Sequence, residues 1–492
     1  SDVMAWPGVL DAFITERGVA VVADRYWRAR KAQEALNVEW DFAEAIDLDN
    51  DQVFEGYREA ANEDAGAQER SDGDFDDAVE NASRVVEAEY EQPYLDHAAM
   101  EPMNATAWYR DGAMEVWAPT QAPDLARIAA ARHSSLSPSN VTVHTTFLGG
   151  GFGRRLTQDY VEEVAIVAYK VKRPVKLIWS REEDVRHGFW RPAMLHRMKA
   201  SFKDSELTGW DHQIVGPQIL DWYVRNAAPA QYPWAPQFLY STLGRVGLMA
   251  EGVATPKDIS AIEGAIGYPY QVENVSVRHT HTDPGVPITW WRSVGYSHNG
   301  FAVETFMDEL AHEAGEDPLL FRRKLLANEP RHRAVLDRAA ERAGWGTPLA
   351  EGRARGIALF KSFGTYVAQV VEASIENGEI KVHKVTCSVD CGLVVNPRVV
   401  EDQISGGILF GLSAALFGEI SFKNGEVQQS NFHDSRVLRT HEVPEVLVDI
   451  VDSDIEPTGV GEPGVPPVIP ALGNALFALT GKRQRKLPLT AG

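Results

Sequence analysis

Cysteine is nearly absent: the chain has two, Cys387 and Cys391, in 492 residues. An iron–sulfur cluster ordinarily takes four thiolates, so this chain cannot build one alone. No Cys/His set has zinc spacing, and the Cys-Ser-Val-Asp-Cys segment reads as a pair of buried strand thiols. Basic charge is also short. Lys and Arg number 48 against 70 Asp and Glu, a formal charge of −22, and such a surface repels nucleic acid and anionic lipid. No apolar run approaches the roughly 18 residues of a spanning helix, so no membrane span is expected. The opening residues carry no signal-peptide pattern. The compartment stays open between cytoplasm and periplasm. Several catalytic signatures are missing: no Gly-x-Ser-x-Gly, no His-Glu-x-x-His (His312-Glu313 lacks its second histidine) and no dinucleotide or Walker loop.

What is present is ordinary folded protein, with 44% hydrophobic, 24% charged and 9% aromatic residues. The length predicts two to four domains of mixed α+β character. Gly18–Asp24 reads as a strand, Tyr26–Leu36 as a helix and Val38–Trp40 as a second strand, a β-α-β fragment whose opening is expected to lie elsewhere. Residues 51–80 are polar and acidic and read as a solvated linker. Strands are expected at 113–118, 141–148 and 175–179, with a helix at Tyr160–Val171. A helix from about Asn299 to Glu313 follows, with Ser297 as a candidate cap, and another begins at Asp317-Pro318. The charged stretch 330–356 reads as a domain junction. Strands at 364–375 and 380–389 lead to a helix at Pro397–Leu416. A hairpin with Asn-Gly at its turn comes next, at 419–427, and a Gly/Pro-rich loop at 457–470 precedes the last helix.

Three glycine clusters stand out. Gly149-Gly-Gly-Phe-Gly153 follows a strand directly and is either a tight structural turn or a place where backbone N–H groups approach a ligand. Thr458-Gly-Val-Gly-Glu-Pro-Gly464 sets one carboxylate, Glu462, among glycines; it is either a surface turn or an exposed reactive group. Gly406-Gly407 lies inside an apolar helix at a cost of about 1 kcal/mol per Gly against Ala, which points to close contact with a neighbouring helix or a ligand. His298 and His383 read as structural. Trp290, Trp291, Tyr296 and Phe363 are candidates for an aromatic pocket, or for core.

Six segments in order carry a resemblance: Glu101-Pro-Met-Asn-Ala-Thr106, Trp117-Ala-Pro-Thr-Gln-Ala-Pro123, Leu148-Gly-Gly-Gly-Phe-Gly-Arg-Arg155, Trp291-Arg-Ser-Val-Gly295, Asp390-Cys-Gly392 through Gln403 to Phe410, and Gly459-Val-Gly-Glu-Pro-Gly464. Together they resemble the molybdenum-binding subunit of the xanthine dehydrogenase and aldehyde oxidase family, and within it the isoquinoline 1-oxidoreductase β-subunit type. The resemblance implies part of a hammerhead-like α/β domain at 1–50, a linker at 51–80, and a two-part molybdopterin-binding region at 81–345 and 346–492. It also implies a pterin-dithiolene molybdenum centre, in the cytosine dinucleotide form, with no direct protein ligand to the metal. By motif, Gln121 would hydrogen-bond an oxo group. Gly150, Gly151, Phe152, Gly153 and Arg154 would lie against the cofactor, with Gln403 and Gly461. Arg292 would face substrate. Glu462 matches the glutamate that takes the proton from the metal's hydroxyl ligand, and a following helix N-terminus would favour its ionised form.

The family's Gly-Gln-Gly segment, which grips cofactor phosphates, is not found here, so a second polypeptide is expected to supply it. Electrons are expected to leave through a small [2Fe–2S] partner, in a heterodimer or heterotrimer. The resulting reading is a hydroxylase of N-heteroaromatics or aldehydes that takes its oxygen from water. Two other readings stay open: a hydrolase with Ser1 as an N-terminal nucleophile, and an inactive cofactor-binding scaffold.

Overall fold

In a computed structural model the described residues are 2–15, 18–43, 45–220 and 258–491, with positions 239, 242, 243 and 246 between them. The chain opens with an antiparallel hairpin, β1 (Val9–Ile14) and β2 (Val19–Ala23), followed by helix α1 (Tyr26–Glu34). This corrects the β-α-β reading. Val38–Trp40 forms no strand; Trp40 is 59% exposed and meets no strand edge.

Residues 51–80 are not a solvated linker. They fold as α2 (Asn50–Glu63), β3 (Ala67–Asp72) and α3 (Phe75–Glu80). Within α2, Val53, Phe54, Tyr57 and Ala61 recur at helical spacing and are buried, while the acids face water. Gln52 Oε1 accepts the Asp49 N–H at 2.8 Å and ties off the first turn.

After β4 (Arg84–Gln92) comes an α/β unit: β5 (Asn104–Arg110), β6 (Ala113–Ala118), α4 (Pro123–His133), β7 (Val141–Thr145), α5 (Asp159–Val171) and β8 (Val175–Ile178). Its sheet runs β7-β6-β5-β8, with β6 and β7 parallel. Ala126, Ala130, Tyr160 and Val164 of the helices pack against Ala105, Ala107 and Val116 of the strands. The small alanines let the helices lie close to the sheet.

Next are α6 (Arg181–His187), β9 (Met194–Lys203), β10 (Glu206–Gly216) and β11 (Asn274–His281). They complete a second sheet, β3-β11-β10-β9-β4, in which only β10 and β11 pair in parallel. Helix α7 (Val294–Glu313) is buried along most of its length. Its Phe301 and Phe306 meet Tyr90 of this sheet edge-on, and Phe306 also meets Trp210. Its start corrects the capping expectation: Ser297 lies inside the helix, and its hydroxyl donates to Val294 O.

Helix α8 (Pro318–Leu325) begins where Asp317 accepts the Leu319 and Leu320 N–H groups. Helix α9 (Pro330–Ala343) occupies the stretch that reads as a junction. Its Val335, Leu336 and Ala339 are buried, and its charges are paired across the fold, Arg331 with Asp390 and Arg338 with Asp449.

The third sheet holds β12 (Arg353–Ser362), β13 (Thr365–Glu376), β14 (Glu379–Asp390) and β17 (Glu445–Ile450), in that order, with β14 and β17 parallel. Between β14 and β17 lie α10 (Pro397–Phe417) and the short hairpin β15 (Phe422–Lys423) and β16 (Glu426–Val427). That hairpin turns at Asn424 and Gly425, both at positive φ, as the Asn-Gly pair requires. Helix α11 (Val468–Thr480) lies so close to β12 that a Cβ on Gly356 would stand 2.2 Å from Ala471 O. Helix α10, with 21 residues and a mean hydropathy of 1.2, is long and apolar enough by length and composition to cross a bilayer, which corrects the expectation that no such stretch exists. Here its Ile404, Ile408 and Leu412 belong to the main core. The mixed α+β class thus holds. Both cysteines are free and buried, and burial pushes the Cys387 thiol up.

Candidate active site

Five segments meet at one place. The first is the loop after β7. Gly150 and Gly153 adopt φ of 101° and 105°, with Phe152 at 54° between them, so the backbone turns in the left-handed region where glycine is favoured. A Cβ on Gly153 would stand 1.9 Å from Trp290 O, so this backbone is pressed against the residues leading into α7. Gly151 is equally close to Gln121: a Cβ there would be 2.5 Å from Gln121 Oε1. That oxygen accepts the Gly153 N–H at 3.1 Å. The Gln121 amide nitrogen donates to no protein atom among the described residues.

The loop is braced by Arg155. Its guanidinium donates to Gly150 O, Pro119 O and Glu101 O, and pairs with Glu101 Oε2 at 2.9 Å. Glu101 in turn accepts the Gly149 N–H. Arg154 points the other way, which corrects its assignment as a cofactor-binding side chain. It is buried in a bidentate pair with Asp159, at 3.0 and 2.7 Å, and Asp159 satisfies the charge that burial would otherwise penalise.

The second half of the site is the loop 458–464. Thr365 Oγ1 donates to Gly459 O, and Gln369 Nε2 donates to Gly464 O. Between these anchors Glu462 is half-buried. The Ser293 N–H donates to Glu462 Oε2 at 2.6 Å, and the Ser293 hydroxyl donates to Glu462 O at 2.8 Å. The helix N-terminus that holds the carboxylate is thus that of α7 and not of α11. Ser293 and Val294 both have positive φ, at 78° and 45°. Such strain in non-glycine residues costs about 1–3 kcal/mol each and persists only where the surroundings impose it. Burial raises the Glu462 pKa above the ordinary carboxylate value, while the Ser293 amide and the Arg292 charge oppose that rise. A base of raised proton affinity is the result.

Arg292 binds the parts together. Its Nε donates to Gly461 O at 2.9 Å and its Nη2 to Gln403 O at 3.2 Å. Its guanidinium lies 5.8 Å from the Phe152 ring and 5.7 Å from the Phe410 ring, and those two rings stand 4.7 Å apart. Gly406 and Gly407 clear the way on α10: a Cβ on Gly407 would be 3.2 Å from Gly464 Cα. Gly407 therefore serves backbone contact with the Glu462 loop, whereas a Cβ on Gly406 would meet only Arg292, at 3.9 Å.

Nearly all the expected residues converge here, namely Gln121, Gly150, Gly151, Phe152, Gly153, Arg292, Gln403, Gly461 and Glu462. Gln403 contributes its carbonyl to Arg292. Among the aromatic candidates, Trp291 is buried against Phe410, whereas Tyr296 and Phe363 stand 5.1 Å apart beside the 459 backbone. His298 is buried and bonded to Ala261 O; His383 meets Ser374. Ser1 lies outside the described residues. Sequence reasoning gave no role to Ser293, Arg155 or Phe410, although all three lie inside the quoted motifs; of the Arg-Arg pair it placed Arg154, not Arg155, at the site.

A molybdopterin group fits these residues. The site offers an unengaged amide donor on Gln121, a glycine backbone that a Cβ would obstruct, and a carboxylate of raised proton affinity. No group of three or more His, Cys, Asp or Glu side chains stands together among the described residues, so a metal here would need donors from its own cofactor.

Residues 58–218 match the family model of a molybdopterin cofactor-binding domain, and residues 332–444 match the model of a second such domain. The first match begins inside the stretch that reads as a linker. A membrane-bound aldehyde dehydrogenase [pyrroloquinoline-quinone] of Gluconacetobacter polyoxogenes is 32% identical over 97% of this chain and 62% of its own length. Isoquinoline 1-oxidoreductase subunit beta of Brevundimonas diminuta is 29% identical over 98% of this chain and 61% of its own. The chain therefore spans about three fifths of these relatives. The fold is shared with quinoline 2-oxidoreductase from Pseudomonas putida 86, with a TM-score of 0.75 at 15% identity over 99% of this chain and 90% of that one. The chain belongs to the family defined by these molybdopterin cofactor-binding domains. Within it, the similarity runs to the isoquinoline 1-oxidoreductase β-subunit type.

Proposed function

We propose that this chain is the large molybdenum-cofactor part of a dehydrogenase that hydroxylates an N-heteroaromatic compound or an aldehyde. The net change is substrate R–H plus water giving R–OH, two protons and two electrons. When bound, the molybdenum centre supplies oxygen transfer and takes up the electron pair. Glu462 accepts a proton on its carboxylate, oriented by the Ser293 amide. Gln121 donates from its free amide nitrogen. Arg292 holds the Glu462 loop against Phe152 and Phe410, and the backbone of Gly150, Gly151, Gly153 and Gly461 gives the cofactor close approach. Tyr296 and Phe363 are suited to flank a planar ring.

The observation that carries this reading is the half-buried Glu462, held by one backbone amide at the meeting of the two glycine loops. The decisive test is Glu462→Gln, which keeps shape and removes the base. Turnover should fall on the order of 10²–10⁴ or more while molybdenum content stays unchanged; near-normal kcat would refute the assignment.

The finer identity of the cofactor is the cytosine dinucleotide form, to be checked by the nucleotide that acid releases. The two electrons leave through a small subunit bearing [2Fe–2S] clusters. A fully active preparation without iron would refute this partner.

A further inference from the structure

Glu263 lies in the segment that leads towards β11 and meets the first turn of α7. Its Oε2 accepts the Gly295 N–H at 3.2 Å. The fit is tight: a Cβ on Gly295 would stand 2.4 Å from Ser260 O and 3.0 Å from Glu263 Cβ. Asn299, one turn along the helix, donates to Ala261 O and Glu263 O at 2.9 Å each and fixes the path of this segment. Two residues before Gly295, the Ser293 N–H holds Glu462. One helix end thus carries two carboxylates, from segments about 200 positions apart, on amides two residues apart.

Glu263 forms no ion pair with Lys or Arg among the described residues. The groups that face it are Asp258 on its own segment, Tyr296 on α7 and Glu462 on the opposing loop; Arg292 faces Glu462. The α7 dipole and two amides favour negative charge here, but not two full charges without a cation between them.

We propose that Glu263 is a positioning residue for Glu462: its charge, felt across the shared first turn of α7, sets how strongly Glu462 holds a proton. The idea rests on the role of Glu462 given above. Burial, with Asp258 and Glu462 nearby, pushes Glu263 up to about 7. Below that pH Glu263 is neutral and adds no charge beside Glu462. Above it Glu263 ionises, the repulsion between the two raises the proton affinity of Glu462, and the base strengthens. Such coupling is reciprocal, so each carboxylate shifts the other by the same amount.

The test uses the complete protein and two readouts. The first needs no turnover: pH-dependent carbodiimide labelling, which requires a protonated carboxyl, read at the Glu263 peptide by mass spectrometry. In the wild type the midpoint should lie near 7. In Glu462→Gln it should fall as the neighbouring charge is removed, by less than the shift that burial imposes. A midpoint that does not move overturns the proposal. The second readout is the pH profile of kcat, which should show an inflection near 7 that Glu263→Gln abolishes; an inflection that survives also overturns it. If Glu263→Gln does not fold, the labelling shift decides alone. If Glu462→Gln keeps normal turnover yet shifts the midpoint, the coupling stands and the base assignment falls.

Discussion

The two glycine-rich loops of the site have similar composition and different physics. In 149–155 the glycines serve handedness: Gly150 and Gly153 sit in the left-handed region, and even Phe152 is drawn into it. In 458–464 none of Gly459, Gly461 and Gly464 has positive φ, and what matters is proximity, since Gly464 presses on Ile404 and Gly407 of α10. The first loop is a shape that only glycine readily adopts. The second is an ordinary backbone that has to be thin. A glycine cluster at a ligand site therefore does not announce which property is in use.

Alanine substitutions separate the two. Gly153→Ala should have the largest effect, because it meets a forbidden φ and a backbone oxygen together. A loss of about 3 kcal/mol or more is expected in chemical denaturation, along with loss of molybdenum. Gly464→Ala meets only crowding, its Cβ 2.6 Å from Ile404 O, and should cost about 1–3 kcal/mol. Gly461→Ala should be smallest. Nothing lies within 4 Å of its would-be Cβ, so stability should change by less than about 0.5 kcal/mol. If Gly461 backs the cofactor, molybdenum content should still fall; unchanged content would remove it from the cofactor contacts. A larger stability loss at Gly461 than at Gly464 would break the comparison itself.

Much of this arrangement was legible in the sequence. Strands β13 and β14 of the third sheet and the α8 cap at Asp317-Pro318 follow from alternation and capping, and the Asn-Gly hairpin from turn chemistry. Six ordered motifs named ten residues for the site, and the fold brings nine of them, Glu462 included, together. What escaped did so for identifiable reasons. In α2 the apolar stripe Val53, Phe54, Tyr57 and Ala61 is interleaved with acids, and local charge density hid its period. In β12 the charges of Arg353 and Arg355 are answered across the strand pair by Glu372, a long-range fact that no window of sequence contains. Arg154 and Arg155 are neighbours with opposite destinations; only the positions of Asp159 and Glu101 in space separate them. Ser293 is functional through its backbone N–H, and side-chain identity says little about that.

The Arg292 clamp has a consequence for how such a site can change. Its hydrogen bonds go to the carbonyls of Gly461 and Gln403, groups that every amino acid carries. Substitution at either position leaves those acceptors in place, whereas inserting or deleting one residue in α10 beside Gln403, or in the loop 458–464 itself, changes which carbonyl is presented. The clamp thus reads local backbone register. At these two positions the grip tolerates a change of side chain but not a shift of local backbone register.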